Sequence, residues 1–131
     1  MAGIFSRIVN GEIPSYKVAE DEQFYAFLDI NPLAKGHTLV VPRIEIDYIF
    51  DLEDKLLGDL NIFSKKVAKA IEKVVDCERI GIAVLGLEIP HAHIHLIPIN
   101  NIEDINFARP KLKFSDEEFK KIAGEIRNAC S

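Results

Sequence analysis

The sequence predicts an α+β protein with a mainly antiparallel sheet. Segments with strand composition occur in groups, and helical segments interrupt these groups instead of alternating with single strands. After residue 51 the apolar residues recur at steps of three and four, which is the period of a helix. The 131 residues are enough for one domain, residues 1–131, that buries a core without disulfides or metal.

The N-terminal part of the chain is expected to form one short helix and three strands. The segment IFSRIVNGE predicts a helix that ends at Gly11 and at the turn around Pro14. YKVAED and FYAFLDI predict two strands joined by a polar turn, because Val, Tyr and Phe suit a half-buried pleated surface. After the turn NPLAKG, the segment HTLVVP predicts a third strand that Pro42 closes.

A long amphipathic helix is predicted from Asp51 to about Val75. Asp51 is a favourable N-cap residue. Apolar residues line one face of the predicted helix: Leu56, Leu60, Phe63, Val67, Ile71 and Val74. The segment RIGIAVLGL that follows has strand composition and leads into the histidine-rich stretch described below.

The C-terminal part contains one further predicted helix and one segment without a prediction. Ser115 and Glu118 form a capping box, and Phe114 and Phe119 occupy the two positions of a hydrophobic staple. Together they predict a helix that begins after Ser115. The segment NNIEDINFARPKLK before it shows no period that would assign it to a helix or a strand.

Composition and charge exclude several classes of function. The net charge is −5 without a basic run, so the overall field would repel nucleic acid. Cys77 and Cys130 form no disulfide framework, which favours reduced thiols in the cytoplasm. No apolar run has the length of a membrane span, and the N-terminal segment lacks the apolar core of a signal peptide. We therefore expect a cytoplasmic protein without nucleic-acid or membrane partners.

Three of the four histidines alternate within EIPHAHIHLIPI, as His91, His93 and His95. In a strand, alternate side chains share a face, so the three imidazoles are expected to project together. The residues between and after them would pack on the core: Ala92, Ile94 and Leu96. His37 starts another predicted strand, and a sheet can bring it beside the other three.

Three uses of such a cluster stay open from the residues alone. The histidines could be incidental polar residues on an open sheet face. They could also bind a transition metal, although only Glu88 lies nearby to complete a ligand set. The third use is nucleophilic catalysis at phosphorus, for which a neutral imidazole with a pKa of about 6.5 is suited.

The histidine stretch resembles the signature of the histidine triad (HIT) family. HAHIHLI fits the pattern His-φ-His-φ-His-φ-φ, in which φ is apolar, and IFSRIVNGEIPSYKVAEDE and FLDINPLAKGHTLVVP resemble the bacterial type of the nucleoside phosphoramidase-like branch. The resemblance implies a five-stranded antiparallel sheet with a short N-terminal helix, one long helix and a C-terminal helix, assembled as a homodimer. It also implies attack on the α-phosphorus of a purine nucleotide conjugate, a phosphoramidate or a dinucleoside polyphosphate, through a nucleotidyl-histidine.

The resemblance assigns a role to each candidate site residue. His93 would be the nucleophile, His95 would protonate the leaving group, and His91 and His37 would support this pair. Asp29 would accept hydrogen bonds from the ribose hydroxyls. Four apolar residues would line the nucleoside pocket, with core packing as the alternative role: Phe5, Ile8, Phe27 and Ile30.

The phosphate environment departs from the pattern of many relatives. Leu87 and Glu88 stand where these relatives have Gln and a small polar residue, and Ile80 stands where they tend to have Asn. Neither Leu87 nor Ile80 can donate a hydrogen bond to phosphate. Stabilisation of the phosphate would then depend on backbone N–H groups, on His95 or on a divalent metal that accompanies the substrate.

A structural zinc site of bacterial relatives is also altered. The resemblance places their zinc ligands, Cys-x-x-Cys and a histidine after the VVP strand, at Gly3, Ser6 and Glu45. We therefore expect no structural zinc and no cofactor that the protein itself requires. Two alternative functions remain, a nucleotide-binding module with vestigial catalysis and a metal-dependent hydrolase that uses the histidines as ligands.

Overall fold

Five strands and three α-helices make up the fold. The structure is a computed structural model that describes residues 2–130, so only the two end positions of the predicted domain lie outside it. Its elements follow the chain in this order: α1 (Ile4–Val9), β1 (Lys17–Glu20), β2 (Phe24–Leu28), β3 (Thr38–Pro42), α2 (Asp54–Val74), β4 (Arg79–Ala83), β5 (Ile94–Ile99) and α3 (Asp116–Ala129). The strands pair antiparallel in the order β1-β2-β3-β5-β4, which confirms the expected five-stranded sheet.

The two long helices cover one face of this sheet. Strand alternation turns Ala26, Val40 and Ile94 toward that face, where they join the larger apolar core. The helices contribute the other buried side chains: Leu60, Phe63, Val67, Ala70 and Ile71 from α2, and Phe119, Ile122, Ala123 and Ile126 from α3. We call this side of the sheet the helix face.

The opposite side of the sheet, which we call the histidine face, holds a smaller apolar cluster under α1. Its buried members are Phe5, Ile8, Tyr25, Phe27, Leu39 and Val41. Because α1 has only six residues, it covers just part of this face. Among the described residues, no helix combines the length and the apolar character needed to cross a bilayer.

The predicted start of the long helix is wrong by three residues. Asp51 is not the N-cap, because it closes a short 3₁₀ turn over Ile49–Asp51. Leu52 follows with an extended backbone and is buried in the helix-face core. This inward turn delays the helix until Asp54, with Glu53 at the N-cap.

The strand predicted from RIGIAVLGL is shorter than expected. Pairing with β5 ends at Ala83, and Val84, Leu85 and Leu87 lie in an exposed loop. Gly86 has a φ of +72° in this loop, a conformation that favours glycine. Strand β4 therefore ends before the chain reaches His91.

The C-terminal helix begins as predicted. The Ser115 hydroxyl accepts the Glu118 N–H at 3.1 Å, and the Glu118 carboxylate accepts the Ser115 N–H at 2.9 Å. The rings of Phe114 and Phe119 lie 5.4 Å apart, as the staple requires. The preceding segment, left without a prediction, forms a 3₁₀ turn over Ile102–Ile105 and an irregular loop.

Candidate active site

All four histidines lie together on the histidine face. Of the three alternating histidines, only His95 is within β5, where it pairs with Leu39 of β3. His91 and His93 precede the regular pairing, yet the alternation continues, because Ala92, Ile94 and Leu96 enter the opposite core as expected. The ring centroids of His93 and His95 are 5.0 Å apart, and those of His37 and His95 are 5.2 Å apart. The most exposed of the four, His95, has only 8% of its surface accessible.

The orientation of His93 follows from one short hydrogen bond. Its Nδ1 lies 2.7 Å from the carbonyl oxygen of His91. A carbonyl oxygen can only accept, so Nδ1 must hold the proton. In the neutral ring the lone pair is then on Nε2, which is the nitrogen available to attack an electrophile or to bind a metal.

A chain of hydrogen bonds also fixes the tautomers of His37 and His95. The Leu33 N–H donates to His37 Nδ1 at 3.0 Å, so the neutral His37 ring has its proton on Nε2. This Nε2–H donates to His95 Nδ1 at 3.0 Å. Neutral His95 therefore holds its own proton on Nε2, as a donor directed away from His37.

Burial keeps this pair uncharged near neutral pH. Burial and the neighbouring His95 lower the pKa of His37 to about 3. Burial and the neighbouring His93 lower the pKa of His95 to about 4. Both rings are therefore neutral in the free protein, which matches the tautomers that the hydrogen bonds require.

Asp29 lies at the end of β2, next to this pair. Its Oδ1 accepts the Asn31 N–H at 2.8 Å, and its Oδ2 lies 3.5 Å from His37 Nε2. Because His37 is neutral, this long contact is not an ion pair. Burial raises the pKa of Asp29 above its ordinary value, while the hydrogen bond from the Asn31 N–H and the charge of Lys111 oppose the shift.

Asp29, His37 and His95 are also arranged as a set that could hold a metal ion, since their ligand atoms lie within 4.8 Å of one another. However, both ring nitrogens of His37 already take part in hydrogen bonds, to Leu33 and to His95. A metal bound by His37 would have to displace one of these bonds.

Three of the four predicted pocket residues pack beside the histidines. The Phe5 ring meets the rings of Phe27, His91 and His93 edge-on, at centroid distances of 5.5, 5.7 and 5.1 Å. Ile8 belongs to the same cluster. These residues belong to the apolar cluster of the histidine face and also border the histidine rings. Ile30 is separate, because it is 64% exposed and lines a groove with Pro14, Tyr16, Asp116 and Lys120.

Two residues that the sequence did not indicate come from the unassigned segment. The Phe107 ring lies edge-on to His95 at 4.8 Å and to His37 at 6.3 Å. The Lys111 Nζ donates to the carbonyl oxygen of Phe107 at 2.6 Å, and its charge helps to lower the pKa of His37 and limits the rise in the pKa of Asp29. A single Phe in an aperiodic loop gives no signal that would place it beside His95.

Comparison with known proteins identifies the family. The model of the HIT domain matches residues 10–102, which include all four histidines and all five strands. The chain belongs to the histidine triad (HIT) family.

Relatives of known structure or activity resemble this HIT protein over nearly its full length. An adenosine 5'-monophosphoramidase of Schizosaccharomyces pombe is 37% identical, and the match covers 96% of each chain. The crystal structure of a Hit-like protein from Bartonella henselae is 31% identical with a TM-score of 0.85, over 97% of this chain and 95% of that one. A zinc-bound HIT family protein from Mycobacterium smegmatis is 25% identical with a TM-score of 0.84, over 99% of this chain and 94% of that one.

The residues at the expected zinc position of this HIT protein do not fit a structural zinc site. Such a site uses four ligand side chains, usually Cys and His. Here Gly3 has no side chain, and Ser6 donates its hydroxyl to the Glu45 carboxylate at 2.6 Å. Of the three residues, only Glu45 offers a ligand atom of a usual kind.

The loop before the histidines, whose sequence departs from the usual HIT pattern, is exposed to solvent. Leu87 is 90% exposed, and Glu88 is exposed as well. The charge of Glu88 contributes to raising the pKa of Asp29, so its carboxylate lies near the site. An anionic substrate would meet this charge at the entrance.

Proposed function

We propose that this protein is a nucleotide hydrolase that cleaves a purine nucleotide conjugate at the α-phosphorus, with His93 as nucleophile. The observation that supports this most directly is the His93–His91 hydrogen bond, because it holds the proton on Nδ1 and leaves the Nε2 lone pair free. The monophosphoramidase relative supports a nucleoside phosphoramidate as the substrate, with a dinucleoside polyphosphate as the second choice.

In the first step, His93 Nε2 forms a bond to the α-phosphorus, and the bond from phosphorus to the leaving nitrogen breaks. With the anionic phosphate bound, the His37–His95 pair takes up one further proton: His37 Nε2 becomes the acceptor of a His95 Nδ1–H, and His95 still carries a proton on Nε2. His95 Nε2 gives this proton to the leaving nitrogen, which departs as an amine. A nucleotide linked to His93 remains.

In the second step, water attacks the same phosphorus. His95 gave up its Nε2 proton in the first step and kept a proton on Nδ1, so its Nε2 lone pair now removes a proton from this water. The bond from phosphorus to His93 breaks, and the nucleotide leaves with the new hydroxyl oxygen. The extra proton is back on the His37–His95 pair, so the cycle balances.

Asp29 and the apolar wall would hold the nucleoside. A carboxylate has about four acceptor positions, and the Asn31 N–H uses one of them, so Asp29 can still accept from two ribose hydroxyls. Phe5, Ile8 and Phe27 would contact the base on one side. Ile30 is exposed next to Asp29, and we propose that it covers the base from the solvent side.

We also propose that the protein is a homodimer. β4 is an edge strand with Ile82 60% exposed, and α2 has Ile62 69% exposed. Tyr48 and Phe50 extend this apolar surface around a groove of about 440 Å³ that reaches His93. An unpaired edge strand and a large apolar patch are features that a two-fold partner would cover. Because the groove is lined by His93, the partner would border the active site.

The proposed setting is the cytoplasm, with a purine nucleotide and not a nucleic acid as the partner. Both cysteines, Cys77 and Cys130, are free, as expected in a reducing compartment. The net charge of −5 opposes binding to a polyanion.

The test is to trap the intermediate. Adenosine 5'-phosphoramidate is mixed with the protein, the reaction is quenched in base, and the mass of the chain is measured. We expect one AMP per chain, released by acid, and none on the His93→Asn variant. AMP binding without adduct or turnover would instead support the vestigial binding module.

A metal-dependent hydrolase is the second candidate, because Asp29, His37 and His95 form a set that could hold a metal. Turnover of the phosphoramidate after exhaustive chelation separates the two candidates. Unchanged turnover supports the nucleophilic mechanism, and loss of turnover that added metal restores supports the second candidate.

A further inference from the structure

One carboxylate accepts two hydrogen bonds from the start of the N-terminal helix α1. Glu45 Oε1 accepts the Gly3 N–H at 2.8 Å and the Ser6 hydroxyl at 2.6 Å. A Cβ built on Gly3 would lie 3.1 Å from the same oxygen, so positions 3, 6 and 45 converge on one point. The hydrogen bond from Ser6 and, to a smaller extent, the one from Gly3 lower the pKa of Glu45, so its carboxylate is ionised.

The chain segment that contains Glu45 also holds the segment that bears the nucleophile. His91 Nε2 donates to the Pro42 carbonyl oxygen at 2.7 Å. The Ala92 N–H donates to the Ile46 carbonyl oxygen at 2.7 Å. Residues on both sides of Glu45 therefore fix residues 91 and 92, and the His91 carbonyl in turn fixes the His93 ring.

One ring nitrogen of His91, Nδ1, takes no part in these hydrogen bonds. Its Nδ1 is buried and has no hydrogen-bond partner among the residues that the structure describes, and the residue is only 1% exposed. Because Nε2 donates to a carbonyl, Nδ1 of the neutral ring presents a lone pair. A ring that donates one N–H to a backbone carbonyl and leaves the other nitrogen free has the orientation of a metal-binding histidine.

We propose that Glu45 is a positioning residue in a metal-free clamp, formed with Gly3 and Ser6, that replaces the zinc site of bacterial relatives. The clamp fixes α1, and so presses the Phe5 ring against His91 and His93. Two hydrogen bonds to an exposed carboxylate hold α1 less permanently than a zinc ion would. The KM measurement described below rests on the proposed function, whereas the amide-exchange measurement does not.

The first test compares Glu45→Ala with Glu45→Gln, and with Glu125→Ala as a control that removes an exposed charge from α3. Amide exchange is followed at Arg7 and Asn10, whose N–H groups bond within α1. We expect faster exchange in Glu45→Ala, with KM for the phosphoramidate raised about tenfold, the loss typical of a charge-assisted hydrogen bond. Glu45→Gln keeps an acceptor oxygen and should stay within about twofold of wild type.

The exchange result stands even if the protein has no phosphoramidase activity, so failure of the clamp and failure of the proposed function can be told apart. Exchange in Glu45→Ala equal to that of wild type and Glu125→Ala would overturn the proposal. A general loss of stability alone would speed exchange in α3 and α1 alike, and that pattern would also overturn it.

The second test restores the ligands. The triple variant Gly3→Cys, Ser6→Cys, Glu45→His should bind one zinc per chain by elemental analysis, because the three new ligands would converge on one point, near enough to His91 for its charge to affect the pKa of Glu45. Adding His91→Gln should weaken that zinc, and wild type should hold none. Position 3 accepts Cys without backbone strain, since its φ is −72°. One tightly held zinc in wild type, or none in the triple variant, would contradict the proposal.

Discussion

The two faces of the sheet differ in what their buried residues require. On the helix face, Val40 and Ile94 need only apolar neighbours, which α2 and α3 supply. On the histidine face, Leu39 and His95 are also buried, but the ring nitrogens of a buried histidine need hydrogen-bond partners as well as neighbours to pack against. Alternation along β3 and β5 thus separates packing from chemistry within a single pair of strands.

This difference explains how such a small protein can bury four imidazoles. Burying a polar group without a partner costs several times more than burying it with one. Backbone groups of Leu33, Pro42 and His91 satisfy nitrogens of three of the rings, and His37 satisfies the fourth. The larger apolar core on the other face supplies the stability that holds this network in place.

The largest expected effects come from substitutions at two adjacent residues, His93 and Ile94, whose side chains lie on opposite faces of the sheet. His93→Asn should lower turnover by at least about a thousandfold, because the nucleophile is lost, with little change in AMP binding or Tm. Ile94→Ala should do the reverse and cost about 2–5 kcal/mol of stability, with turnover retained by the folded fraction. Turnover, AMP titration and thermal unfolding measure both. Wild-type turnover by His93→Asn would refute the mechanism.

The next effect is the dependence of stability on pH. In the unfolded chain His37 and His95 titrate near 6.5, and in the folded protein at about 3 and 4. As pH falls below 6.5, the unfolded chain binds protons that the folded protein does not, so stability is lost. The stabilisation is complete above pH 6.5, and most of the loss, on the order of a few kcal/mol, should occur by about pH 4.

Thermal unfolding across this pH range measures the loss, and His95→Gln should reduce it. Asp29 opposes it in part, because burial raises its pKa and favours the protonated folded form in acid. Equal acid destabilisation in wild type and His95→Gln would show that the loss comes from elsewhere, such as the exposed carboxylates.

The helix face and the triad were largely predictable from the sequence. The period of α2, the capping box at Ser115 and the alternation at His91 are local patterns, and local patterns are visible in one sequence. The start of α2 was wrong, because the burial of Leu52 depends on the distant core. Phe107 could not be found, since its contact with His95 joins an irregular loop to a strand.

A third effect concerns the apolar surface that neither core covers. Ile62→Lys should weaken the proposed dimer by about tenfold or more, because a charge would be buried in an apolar interface. Sedimentation at micromolar concentration measures the mass, with wild type at twice the chain mass. Lys66→Ala, a change at an exposed position of the same helix, serves as the control. A wild-type monomer at high concentration would refute the dimer.

The smallest expected effect tests whether the irregular loop belongs to the histidine face. The Phe107 ring excludes water from one side of His95 and His37. Phe107→Ala should admit water, so the pKa of His95 should rise from about 4 toward 6.5. Because the mechanism uses the protonated His37–His95 pair as the acid, the alkaline limb of kcat/KM should then move to higher pH, with a loss of about two- to fivefold at its plateau. Phe107→Leu keeps most of the apolar cover and should stay close to wild type. An unchanged alkaline limb in Phe107→Ala would mean that strand packing alone dehydrates His95.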